Sequence, residues 1–400
     1  MSNGLQLFHI SYVFLSVVAP LSGYCRILGK VLINILANIF DYLIWRGDLP
    51  LSVSPFNEVD GAVFARLSYL PFELIMPCDS PVSVTIADAA AALISLNIKK
   101  PGSLRKENDA KLLEMLLNSR RFRDIELFGY SHLFDAATQT QFSAVTFRPS
   151  KNKLYVFFRG TDSTLVGWKE DFNMCFVCPV PAQSNAVDYL NRIAASNGGD
   201  ITVGGHSKGG NLAVYASAFC EQAARRRITH IYNYDGPGFT EDVLNSDSYK
   251  SICVLVNTFV PQSSVVGMLL GHEEKYTIIH STESGIMQHD IYSWELLCDK
   301  FTYLEKVNNS SMFIDFTLKH WLAGMDNRQR EQFVDTVYAV MQDTNAKTLR
   351  DISDNWFVCV KTMLRSLKNM DEDTRKSVSH ALRLLLRSAK IGLAQMMQNK

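Results

Sequence analysis

The chain has 400 residues, with 40 basic residues against 40 acidic ones, and eight cysteines. The formal net charge is zero, so no global field draws in nucleic acid or an anionic membrane, and the length predicts a main domain of roughly 250 residues with a smaller part attached. Eight cysteines in so long a chain do not make a disulfide scaffold and point to a reducing, cytoplasmic setting.

Residues 5 to 25 form an apolar stretch long enough to span a bilayer, but Gln6, His9, Ser11, Ser16, Pro20, Ser22 and Gly23 interrupt it. It also lacks the basic leader of a secretory signal. Two readings stay open: a membrane or interfacial anchor with peripheral membrane contact, or a buried extra helix. Residues 38 to 75 read as helical, with Asn57 or Pro55 as a start signal and Val59, Val63, Leu67 and Leu70 at helical spacing. Two more helices are expected around 82–95 and 107–122, separated by the turn-forming Lys99-Lys100-Pro101-Gly102-Ser103. On this reading residues 51–135 precede the sheet.

From residue 142 the period becomes that of strands. Phe142 to Phe147 and Leu154 to Phe158 read as a hairpin around Pro149-Ser150-Lys151-Asn152-Lys153. Helices near 182–196 and 208–222 then alternate with strands at 201, 228–234, 252–259 and 276–279, which predicts a largely parallel sheet covered on both faces. Cys175-x-x-Cys178 has no second pair and no flanking histidines, and reads as two ordinary thiols near a strand end. Beyond residue 300 the chain reads as helices. Asp326-x-x-Gln329 forms a capping box, and Asp371 opens a helix with Val378, Ala381, Leu382, Leu385 and Ala389 on one face. Those stripes fit packing against the main domain, a partner or a membrane, and the mixed charges weaken the membrane reading.

Gly205-His206-Ser207-Lys208-Gly209 reads as G-x-S-x-G between the apolar Ile201-Thr202-Val203 and a helix-forming segment. A serine on a sharp strand-to-helix turn is pushed outward, and the free N–H groups of the helix that follows face an oxyanion formed there. Phe158-Arg159-Gly160-Thr161-Asp162 leaves a strand through a Gly-Thr step, which can supply the second set of N–H donors. A cation at a helix N-terminus is disfavoured by the dipole, so Lys208 is expected to pair with Glu170 or Asp171.

FRGTD at 158–162, the following Trp168-x-x-Asp171 and GHSKGG at 205–210 resemble the class 3 (fungal-type) lipases. RGD at 46–48, FNEVD at 56–60, QFSA at 141–144, GHSKGGNLA, DGPGF at 235–239 and QHD at 288–290 are more closely similar to a bacterial family of lipase-like proteins of unknown function. The likeness runs from about Asn38 to the C-terminus. It implies an α/β-hydrolase fold and three segments: an apolar N-terminal extension (1–37), a lipase-like domain (38–300) and a helical C-terminal region (301–400).

In that fold the order along the chain is serine, acid, histidine. Of the nine histidines, His272, His280 and His289 lie suitably late, and His289 matches the QHD motif, which makes it the expected general base. The acid of many class 3 lipases follows the strand equivalent to 252–259, yet Lys250 to His272 contains no Asp or Glu. Asp235, directly after the strand at 228–234, is the expected acid, with Asp171 or a triad completed by Ser264 as the alternatives.

The resemblance and the motifs together imply a serine hydrolase acting on a carboxylic ester, acyl or lipid-like. Ser207 is the nucleophile, His289 the base, Asp235 the acid, and the N–H groups of Thr161 and Lys208 form the oxyanion hole. No metal, organic cofactor or nucleic-acid partner is expected. The rival readings are a non-catalytic scaffold binding a partner through its C-terminal helices, motivated by the empty acid position, and a membrane-anchored interaction protein led by residues 5–25.

Overall fold

A computed structural model describes residues 37–96, 106–162, 164–344, 362, 365–366 and 368–398. The apolar stretch at 5–25 and the turn at 99–103 lie outside the described residues. Two capped helices open the described chain: α1 (Ile39–Arg46) and α2 (Glu58–Leu67). Asn57 starts α2 as its spacing predicts: its Oδ1 accepts the N–H of Val59 at 2.9 Å and of Asp60 at 3.0 Å, while Asp60 Oδ2 accepts the N–H of Asn57 at 3.0 Å. Strand β1 (Ser83–Thr85) runs into α3 (Ile86–Ser95), and α4 (Lys106–Asn118) follows.

The sheet that comes next has nine strands in the order β1-β2-β3-β4-β5-β6-β7-β8-β11. Strands β2 (Glu126–Asp135), β3 (Thr140–Ser150) and β4 (Lys153–Phe158) form an antiparallel meander. Strands β5 (Asp200–His206), β6 (Ile228–Tyr234), β7 (Val256–Pro261) and β8 (Tyr276–Ile279) continue from β4 in parallel. Two-residue strands β9 (Leu296–Leu297) and β10 (Lys300–Phe301) pair with each other, and β11 (Tyr303–Leu304) runs antiparallel to β8.

The fold is thus α/β, as expected, but its sheet is mixed rather than mostly parallel. Parallel pairing is confined to β4 through β8, because the short turns of the meander permit only antiparallel neighbours. The expectation that residues 51–135 precede the sheet is also corrected, since β2 is an integral strand. Its register shifts between Phe128 and Ser131, where Gly129 has φ 64°. That irregularity breaks the alternation by which a strand is recognised.

Helices α5 (Leu165–Asn173), α6 (Pro181–Ser196) and α7 (Lys208–Phe219) carry the chain between β4 and β6. Three short ones, α8 (Gln222–Arg225), α9 (Glu241–Leu244) and α10 (Asp247–Ile252), flank β6. Strand β4 shows why both faces are covered. Leu154, Val156 and Phe158 join the core formed with α6 and α7, whereas Tyr155 and Phe157 meet the Phe64 ring of α2 at 5.5 and 5.7 Å between centroids. All five are buried, which accounts for a continuous apolar run in place of alternation.

Among the described residues, the C-terminal region carries the helices α11 (Asn309–Ala323), α12 (Asn327–Gln342) and α13 (Glu372–Gln398). Asp326 and Gln329 form the expected capping box at 2.8 and 3.0 Å. Trp321, Met325 and Ala381 make a small core of their own, and Tyr338 packs on Leu165 and Val166 of α5. No described helix is long and apolar enough to cross a membrane.

Asp60 is fully buried and receives Arg121 Nε at 2.6 Å, the Arg121 Nη2 group and the Tyr42 hydroxyl at 2.7 Å. The same guanidinium donates to the carbonyls of Leu49, Ser54 and Pro55 at 3.0, 2.9 and 3.1 Å, and so ties the loop between α1 and α2 to the sheet side. Asp60→Ala leaves that cation buried without a counter-charge. The expected cost is about 3–5 kcal/mol, read as a lower urea midpoint at unchanged m-value.

Candidate active site

Strand β5 delivers Ser207 and α7 begins at the next residue. Ser207 has φ 60° and ψ −134°, a conformation that side-chain-bearing residues avoid, at a cost of roughly 1–3 kcal/mol. The surroundings enforce it. The Ser207 N–H donates to Tyr234 O on β6 at 2.9 Å and Gly210 N–H donates to Ser207 O at 2.8 Å. A Cβ on Gly209 would lie 2.2 Å from Phe158 O, and one on Gly160 would lie 2.5 Å from His206 O and 2.9 Å from Ser207 Cβ. Only glycines allow the end of β4 to pass this close to the serine, which sets the Gly160-Thr161 loop beside it.

Lys208 sends its side chain inward, where it is 1% exposed. Its Nζ donates to Glu170 Oε2 at 2.7 Å and to Gln141 O at 2.8 Å, with Asp171 Oδ1 at 4.0 Å. The expected pairing is therefore present, with Glu170 as the near partner. Glu170 also accepts the N–H groups of Gln141 at 3.1 Å and Ala182 at 2.9 Å, so the buried carboxylate is satisfied. Thr161 Oγ1 lies 2.6 Å from both carboxylate oxygens of Asp171 and donates to them. Burial raises the Asp171 carboxyl to about 6 against the opposing pull of Lys208 and the Thr161 hydrogen bond.

Asp235 follows β6 directly. It is fully buried with φ 53°, and its N–H donates to Phe259 O at 2.8 Å. Its Oδ2 lies 2.6 Å from His289 Nδ1, and its Oδ1 accepts from the Ser264 hydroxyl at 2.5 Å and from Gly267 N–H at 3.2 Å. His289 thus has its Nδ1 turned to a buried carboxylate, which leaves Nε2 as the nitrogen free to handle a proton. Ser264, the alternative third member, bonds to the acid. Asp171, the alternative acid, serves Thr161 instead.

The loop carrying His289 is pinned by its neighbours in sequence. Gln288 Oε1 accepts Ser263 N–H at 2.8 Å, Gln288 O accepts Trp294 Nε1 at 2.8 Å, and Asp290 Oδ1 accepts Tyr292 N–H at 3.2 Å. His206, the variable position of the G-x-S-x-G motif, has a role that its spacing does not reveal. Its Nε2 donates to His289 O at 2.7 Å, its Nδ1 faces Tyr69 Oη at 2.9 Å, and its ring lies 4.4 Å from the His289 ring. Ser263, Ser264, Val265, Val266 and Gly285 close around Asp235 and His289, leaving a gap too small to admit water.

Of the five site residues read from the sequence, His289 and Asp235 are in direct contact, while Ser207, Lys208 and Thr161 meet at the glycine-lined crossing of β4 and β5. No hydrogen bond joins Ser207 Oγ to His289, and the serine hydroxyl has no partner among the described residues. Such bonds are often long in the absence of substrate. The described residues contain no group of three or more His, Cys, Asp or Glu placed to hold a metal.

A family model described as Mbeg1-like matches residues 116–339, more than half of the chain. Among solved structures, the chain is similar to a native Rhizomucor miehei lipase propeptide complex, with 14% identity over 59% of this chain and 80% of that one and a TM-score of 0.37. It is similar as well to a fungal lipase–inhibitor complex, with 13% identity over 56% and 78% of the two chains and a TM-score of 0.35. No curated protein matches the chain.

The raised Asp171 carboxyl predicts a pH effect on stability. Between its ordinary 3.8 and about 6 the folded protein holds a proton that the unfolded chain releases. The group's contribution is present below the lower value and is lost as the pH rises through about 6. Asp171→Asn abolishes this titration, so its stability relative to wild type should rise across that window and level off above it, as measured by denaturant unfolding at a series of pH values.

Proposed function

The chain belongs to the Mbeg1-like family, and from that premise and the site geometry we propose that it is a lipase-like serine hydrolase of the α/β-hydrolase type, acting on a carboxylic ester. The observation that carries the reading is the 2.6 Å contact of His289 Nδ1 with the buried Asp235, on loops that converge with a serine held at positive φ.

In the proposed reaction, Ser207 Oγ attacks the ester carbonyl and His289 Nε2 takes the hydroxyl proton. Asp235 holds the imidazole through Nδ1 and stabilises the imidazolium that results. Negative charge on the carbonyl oxygen is met by the backbone N–H groups of Lys208 and Thr161 and by the positive end of α7. Collapse of the tetrahedral intermediate breaks the bond to the alcohol, which leaves with the proton from His289. Water, deprotonated by the same imidazole, then cleaves the acyl-serine. This chemistry uses no metal or organic cofactor. The substrate class, an acyl or lipid-like ester, rests on the family likeness. The scaffold alternative was motivated by the empty acid position after β7. The Asp235–His289 contact, on the end of the preceding strand, supports an acid there instead.

A fluorophosphonate probe tests the reading. Wild-type protein should be labelled at one residue, and Ser207→Ala should abolish labelling. Asp235→Asn should slow it by about 10³–10⁴-fold, because the amide no longer fixes the correct imidazole tautomer. Folded wild-type protein that takes up no probe and cleaves no ester in a panel graded by acyl length would return the scaffold reading to first place.

A further inference from the structure

Helix α13 has two faces put to unlike use. One is docked: Val378, Ala381 and Ser388 are buried, and Trp321 Nε1 of α11 donates to Ala381 O at 2.9 Å. A Cβ on Gly392 would come within 3.0 Å of the Phe316 ring. The other face is open. Leu382, Leu386 and Leu393 are 45%, 64% and 55% exposed, and at about 100° per residue they fall within an arc of about 40°. Next to this ridge, on the side away from the packed seam, the exposed Lys390, Arg383 and Arg387 occupy the following arc of roughly 60°, which Lys376 shares but spends on Glu372 at 2.7 Å.

Charge along the sequence is segregated in the same place. After Asp373 the chain contains no Asp or Glu and six Lys or Arg residues. Arg387 and Lys390 have no ion-pair partner among the described residues. A leucine ridge bordered by a row of cations suits a helix lying in a lipid interface: the leucines enter the boundary layer while long basic side chains reach the phosphates. Nucleic acid would engage the cations and leave the leucines exposed. Self-association through this face would bring two like-charged rows together.

We infer that the open face of α13 docks the protein onto an anionic lipid surface. The docking is independent of the hydrolase reading, since none of its residues belongs to the catalytic constellation.

The test uses the full chain carrying Ser207→Ala, so that no hydrolysis alters the vesicles. Co-sedimentation is measured with vesicles of phosphatidylcholine alone and of phosphatidylcholine mixed with phosphatidylglycerol. Binding should favour the mixed vesicles by tenfold or more and weaken as salt is raised. Reversal of three cations (Arg383→Glu, Arg387→Glu, Lys390→Glu) should reduce it by about a hundredfold. The triple change Leu382→Ser, Leu386→Ser, Leu393→Ser should reduce binding to both kinds of vesicle by tenfold or more. All six side chains are exposed, so the thermal melt should be unchanged, and residues 1–36 are the same in every protein compared. Absence of binding to mixed vesicles, or equal binding by wild type and both variants, overturns the inference. So does a concentration-dependent dimer that forms without lipid and is lost in the leucine variant. Ester hydrolysis enters none of these readings, so failure here leaves the proposed activity untouched, and the reverse holds.

Discussion

The buried ion pair between Lys208 and Glu170 is the interaction on which the arrangement of the site rests. An ammonium at the N-terminal end of a helix is repelled by the helix dipole and, when buried, by its own desolvation. Lys208 has both problems, and one carboxylate at 2.7 Å resolves them. Because Glu170 also takes N–H groups from β3 and from the start of α6, it ties four elements to one point. Pairs of this kind seldom add net stability over an apolar core. What this one fixes is geometry: the backbone of Lys208 and the loop of Thr161 are held on either side of Ser207.

Four of the five parallel strands then contribute at their carboxyl ends, as open α/β sheets place their sites. The end of β4 leads to Gly160 and Thr161, β5 to Ser207, β6 to Asp235, and β7 to Ser264. Ser207 and Asp235, at the ends of adjacent strands, both have positive φ. Two such residues side by side cost roughly 1–3 kcal/mol apiece. The strain at Asp235 turns its carboxylate toward Ser264 on one oxygen and His289 on the other.

Features set by local rules were legible in the sequence. The serine turn is written in three glycines and a strand-helix boundary, the caps at Asn57 and Asp326 in their spacing, and the pairing of Lys208 in the rule against cations at helix N-termini. Asp235 emerged because no carboxylate exists between Lys250 and His272. Features that depend on contact through space were not legible. His206 touches the backbone of His289 across 83 positions of sequence, and nothing near it in the chain signals that contact. Ser264 could be named only as a stand-in, since its distance from Asp235 is a product of the parallel register of β6 and β7. Strand β2 escaped because its bulge at Gly129 interrupts the period.

Charge makes the same point at larger scale. A net charge of zero is a property of the whole sequence, whereas attraction to a charged surface depends on what lies within about a Debye length of it. The acidic residues that balance the total lie before Thr374, some of them sealed inside, as Asp60, Glu170 and Asp235 are. Buried carboxylates paired with Arg121, Lys208 and His289 present little field to solvent. The basic run of α13 has no such internal partners and faces outward. Its helix is not a loose appendage either: α13 packs on α12, and α12 holds α5 through Tyr338 and the 2.9 Å contact of Asp335 with Lys169. A surface engaged by α13 is therefore connected, through packed side chains, to the helix that follows the Thr161 loop.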